Sequence, residues 1–208
     1  MRKTSKILLV FVALSAFSVL GQPTATPATT SYEALVEKVK AGNNNIDFRE
    51  LRLAYVDSAT RKKAKDTDAQ KKAMNQALRD QDYKSVLENA QAVLQQEFVD
   101  IDAHFAEYTA YRELKQSEQT EREKYIVAGL LDSITSSGDG KTLDTAYQVI
   151  NVHEEYVVLR FDGLMPSKQS LQHKDGHSFD VMEAVDPKTN KKVTYYFNVD
   201  IPFAHYLK

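Results

Sequence analysis

Histidines and carboxylates are the residues of this chain with chemical potential, five of the former and 29 of the latter; there is no cysteine. That absence excludes a thiolate nucleophile, a thiolate metal site, any disulfide and a lipidated N-terminal cysteine. His104 falls on the apolar face of a predicted helix, beside Phe105 and one turn from Tyr108 and near Tyr111. A histidine so placed is expected to be buried and hydrogen-bonded, or to line a groove, rather than to act as a base. His153 precedes Glu154 and Glu155 but lacks the second histidine of a zinc-protease helix, so it predicts no metal site. His173 and His177 straddle Asp175-Gly176. A two-residue turn there pairs Lys174 with His177 and sends the two imidazoles to opposite faces, whereas a three-residue loop would set them side by side.

Other constellations carry less. No Gly-x-Ser-x-Gly elbow occurs, so no Ser-His-acid triad can be placed. Gly138 to Thr142 reads GDGKT, but Thr135 stands where a phosphate loop needs glycine and a helix precedes it; the segment reads as a linker. Glu154 and Glu155 precede a predicted strand at Tyr156 to Phe161; as neighbours in extended chain they would face opposite sides and not form a glycosidase pair. Arg52, with Tyr55 on the same row of an otherwise apolar helix face, must find a partner; a structural ion pair with a carboxylate of a neighbouring element is the default. No cofactor and no metal is implied.

The elements that hold these residues divide the chain in two. From 31 to 136 apolar residues recur at helical spacing. Ser31 can cap a first helix, and Asn45 or Asp47 a second with Phe48, Leu51, Arg52 and Tyr55 on its face. A third spans about 68–79, and a fourth carries Tyr83, Val86, Leu87, Ala90, Val93 and Leu94. A fifth shows Ile101, Phe105, Tyr108 and Tyr111, and a sixth Tyr125, Ile126, Leu130 and Ile134. Helices three to six resemble tetratricopeptide-like antiparallel pairs, which need a seal at the open end. From 137 to 208 the pattern alternates, predicting strands at 148–152, 156–161, 169–174, 178–185 and 193–199. The expected class is α+β: antiparallel helix pairs packed against a C-terminal antiparallel β-meander.

Ahead of these regions lies an address. Arg2, Lys3 and Lys6 precede an apolar run from Ile7 to Leu20, the order of a signal peptide ending at Gly21, with a cut after Ser18 as the alternative. Residues 22–30, rich in Gln, Pro, Thr and Ala, read as a disordered linker. The 27 basic residues include three in the leader, leaving 24 against 29 acidic ones, a balance unsuited to nucleic acid. A periplasmic or secreted protein is expected, with no stable membrane insertion after cleavage.

Several segments together resemble a known family. DFRELRLAYVDS (47–58), KTLDTAYQVINVHEEYVVL (141–159), KQSL (168–171), and FDVMEAVD with YYFNVD (within 179–200) are similar to an exported bacterial family designated domain of unknown function 4919. The resemblance implies no activity, only residues of interest: Asp47, Arg52, Tyr55, Glu154, Glu155, Tyr156, Gln169 and Asp180. The chain departs from the family pattern after the first motif, where Ala59 to Lys63 replaces a segment with tyrosine and proline. The expected role is a non-enzymatic module that binds a protein, peptide or cell-envelope component in a groove lined by His104, Tyr108, Tyr111 and strand residues. The alternative is a hydrolase using His104 or Glu155 with a nearby carboxylate.

Overall fold

The computed structural model describes residues 30–206; the leader and nearly all of the linker lie outside the described residues. Helix α1 (Tyr32–Lys40) starts where the Ser31 hydroxyl accepts from the Ala34 N–H, and α2 (Phe48–Asp57) where Asp47 accepts from Glu50. The short α3 (Ala59–Lys63) leads into α4 (Asp68–Asp80) and α5 (Tyr83–Leu94), whose turn passes through Gln81 at φ 58°. Asp100 caps α6 (Ile101–Glu113), and Lys115 at φ 59° turns the chain into α7 (Ser117–Thr135). Helices α4 to α7 pack as consecutive antiparallel neighbours.

The buried face of α6 differs from expectation. Ala103, Ala106 and Ala110, with His104 and Glu107, are inside, while Phe105 is exposed and Tyr108 and Tyr111 are partly so. The reason is that α6 is packed between α5 and α7. Its small residues let α4 and α5 approach, forming a second apolar cluster with Met74, Val86, Ala90 and Val93. The main core lies elsewhere, where α1, α2 and α7 meet the C-terminal third. Gly129 belongs to that contact: a Cβ there would sit 2.2 Å from the Phe48 ring.

In the C-terminal third, β1 (Tyr147–Gln148) is only two residues long, and α8 (His153–Phe161) follows. The strands expected at 148–152 and 156–161 are therefore corrected: apart from Gln148 these residues form a loop and a helix. Val157, Val158 and Leu159 are all buried because α8 lies in the core with covered surface on several sides, which gives a continuous apolar run instead of a 3.6-residue rhythm. Next come β2 (Met165–Lys174), β3 (His177–Val185), β4 (Lys192–Asn198) and α9 (Asp200–Tyr206). The sheet order is β1-β4-β3-β2, antiparallel except that β1 joins β4 in parallel. The β2–β3 hairpin turns on Asp175 and Gly176, at φ 52° and 84°, the geometry that an Asp-Gly pair favours. Lys174 pairs with His177 and His173 with Ser178, which separates the two imidazoles. Tyr195, Tyr196 and Phe197 lie on an interior strand. Among the described residues no helix is long and apolar enough to cross a membrane.

Candidate functional site

Helix α8 presents two adjacent carboxylates to opposite halves of the molecule. Glu154 faces the helices, where the Arg52 Nε donates to its Oε1 at 2.9 Å and an Arg52 terminal nitrogen to its Oε2 at 2.5 Å. The remaining Arg52 donors reach the carbonyl and hydroxyl of Ser133 and the carbonyl of Gln148. The Ile150 N–H also donates to Glu154. Both charged groups are nearly inaccessible, and this pair clasps α2 and α7 to the start of α8. The expected structural partner of Arg52 is thus Glu154, the charged groups being saturated by protein donors and acceptors.

Glu155 faces the sheet and is fully buried. Burial, then the charge of Asp180 on β3, push its carboxyl up to about 9. The Gln169 amide of β2 donates to Asp180 at 2.6 Å and to Glu155 Oε2 at 3.4 Å, and the Tyr156 hydroxyl donates to Gln169 Oε1 at 2.9 Å. Oε1 of Glu155 has no hydrogen-bond partner among the described residues. A neutral Glu155 beside an acceptor-only Asp180 is the arrangement that this dry environment tolerates.

The expected groove is not assembled as foreseen. His104 is buried, with Nδ1 2.6 Å from a Glu123 oxygen and Nε2 2.8 Å from the Phe98 carbonyl. It lines a recess with Glu107, Glu123 and Tyr111, but the lining comes from helices and the turn before α6, and no strand residue takes part. Tyr108 lies apart, beside Phe105 and under the Arg112 guanidinium. The sheet packs mainly on α8, on α9 and on the segment leading into β1, away from this recess. Burial and the Glu123 charge push Glu107 up to about 7.

A cleft that does join the two halves opens beside the clasp, with a volume of about 290 Å³. Tyr55 of α2, Arg61 of α3 and Lys71 of α4 contribute to it, as do the loop residues Glu97, Val99 and Asp100; from the other half come Asn151, His153 and Glu154. Asp100 accepts from Lys71 Nζ at 2.6 Å as well as capping α6. Burial pulls the Lys71 ammonium down, but the Asp100 carboxylate outweighs it and holds the group charged. A hydrogen bond to Asp102 raises His153, and Asp102 also pairs with Arg160. Glu97 differs from these groups because it has no ion pair among the described residues. Asn151 Nδ2 donates to it weakly, at 3.4 Å. Burial first, then the charges of Asp100 and Glu154, push Glu97 up to about 7 despite Lys71 and Arg61. Burial and the Glu97 charge also raise Tyr55, whose hydroxyl reaches the Gln96 carbonyl at 3.5 Å.

Sequence reasoning identified Tyr55 and Glu154 here but missed Glu97, Asp100, Lys71 and Asn151. The available signal was a pair of acids, Glu97 and Asp100, enclosing Phe98 and Val99 just before a helix.

Fold and clefts together define an α+β protein whose antiparallel helices are closed by a small mixed sheet. The chain belongs to the domain of unknown function family DUF4919, whose model matches residues 26–208. Neither the curated proteins nor the solved structures contain a match.

Proposed function

We propose that this protein is an exported, periplasmic or secreted binding module that takes an amine-bearing part of a protein, peptide or cell-envelope component into the cleft at the seam. The observation that carries this reading is Glu97, a half-buried carboxylate with no ion pair among the described residues, facing a concave site built by both halves of the fold. A ligand ammonium would supply the missing partner and favour the ionised form of Glu97. Asp100 and Lys71, already paired with each other, would frame the site without competing for the ligand. Export is supported by the basic and apolar order of residues 2–20.

Binding is preferred to hydrolysis because the cleft lining includes no serine, threonine or cysteine beside Glu97. His104 and Glu155, the residues on which a hydrolase would have relied, sit in separate buried networks. Calorimetric titration with short lysine-containing peptides and their side-chain acetylated counterparts tests the reading. The free amine is expected to bind at pH 8 and to weaken on the order of tenfold at pH 6, as Glu97 takes up a proton. Glu97→Gln should remove the preference for the free amine. Equal binding of both peptides would refute the assignment.

A further inference from the structure

We propose a second site: His104, Glu107 and Glu123 hold a divalent transition-metal cation between α6 and α7. A ring nitrogen of His104 and one oxygen from each carboxylate all lie within 4.8 Å of one another, and all three residues are buried. His104 and Glu107 are one helical turn apart, and Glu123 meets them from the facing helix, so rigid elements set the geometry. The Phe98 carbonyl can only accept, so Nε2 of His104 must carry the hydrogen at that 2.8 Å contact. A metal-bound histidine commonly donates its other ring N–H to a backbone carbonyl in this way, leaving the opposite nitrogen for the ion. That opposite nitrogen, Nδ1, faces Glu123 at 2.6 Å, with Glu107 in the same cluster.

The fit needs little movement. Ligand bonds of about 2.1 Å place neighbouring ligand atoms roughly 3.0–3.4 Å apart. Glu123 now sits 2.6 Å from Nδ1 and would retreat by less than about 1 Å, the cation replacing the proton of that hydrogen bond. Glu107 is available because it forms no ion pair among the described residues. The three groups also line a recess of about 300 Å³, which provides an entry path. Three protein ligands leave a coordination position open, as in zinc sites that bind an exogenous group. Lys40 and Arg122 in the recess lining would favour an anion there.

Cobalt(II) alone, added to the purified protein after chelator treatment, tests the site. One cobalt per chain should bind, with the intense visible bands of a four- or five-coordinate ion, and zinc should displace it. Glu107→Gln and Glu123→Gln should each weaken binding by more than about 100-fold, exceeding typical losses from outer partners. His177→Asn, which removes an exposed histidine paired with Asp200, should change nothing. In the unmodified protein, ¹⁵N spectra should show zinc moving the His104 Nδ1 resonance while Nε2 keeps its proton. Cobalt that retains the spectrum of its hydrated ion, an unmoved Nδ1, or binding unaffected by Glu107→Gln would overturn the proposal.

Discussion

Glu155→Gln should stabilise the protein, and by an amount that grows with pH. Between its ordinary value of 4.5 and about 9, Glu155 keeps a proton in the folded chain that the unfolded chain has released. Wild-type stability therefore falls as pH rises through that window. Each unit of pH removes about 1.4 kcal/mol, so moving from pH 5.5 to 7.5 costs roughly 2.7 kcal/mol from this group alone. A glutamine has the same shape, donates to Asp180 as the protonated acid does, and does not titrate. The stability difference between variant and wild type should thus widen by about 2–3 kcal/mol over those two pH units, or about 5–10 °C in Tm. Glu97 and Glu107, also raised, contribute equally to both proteins and cancel in the difference. Urea unfolding followed by circular dichroism at four pH values provides the measurement. A difference that stays flat with pH would refute the reasoning, because it would mean that Glu155 is ionised inside the fold.

Arg52→Leu should cost on the order of 3–5 kcal/mol by stranding Glu154, and Arg52→Leu with Glu154→Leu should recover much of that loss in chemical denaturation. Gly129→Ala should destabilise by about 1–3 kcal/mol, because the new methyl meets the buried Phe48 ring; differential scanning calorimetry would show the lowered Tm. Asp47→Ala should cost about 1 kcal/mol through the lost α2 cap, read from the same melts.

Much of the helical half was legible because local chemistry decided it. Ser31 and Asp47 begin helices where their side chains can cap, and Val86, Ala90 and Val93 keep a one-sided rhythm. Asp175-Gly176 fixed a hairpin register by its preference for positive φ. Legibility failed where burial came from more than one side. Helix α8 has core on several faces, so its Val, Leu and Tyr content looked like a strand. On α6 the aromatic residues suggested a buried stripe, yet the alanines are inside because neighbouring helices approach closely there. Of the site, Arg52 announced its need for a partner, being a cation on an apolar face. The family residues resolved into two networks on either side of α8, with Glu154 in one and Glu155, Tyr156, Gln169 and Asp180 in the other. Glu97 stayed hidden because its isolation is a product of tertiary packing between segments about 50 residues apart, as its contact with Asn151 shows.

Glu97 itself offers the most direct test of the binding account. The carboxyl ¹³C resonance of Glu97, followed by NMR through a pH titration with and without a lysine-containing peptide, reports its ionisation. The account predicts a midpoint about 7 in the free protein, moving well down into the ordinary carboxylate range when the amine is bound. A midpoint that the peptide leaves in place would contradict it.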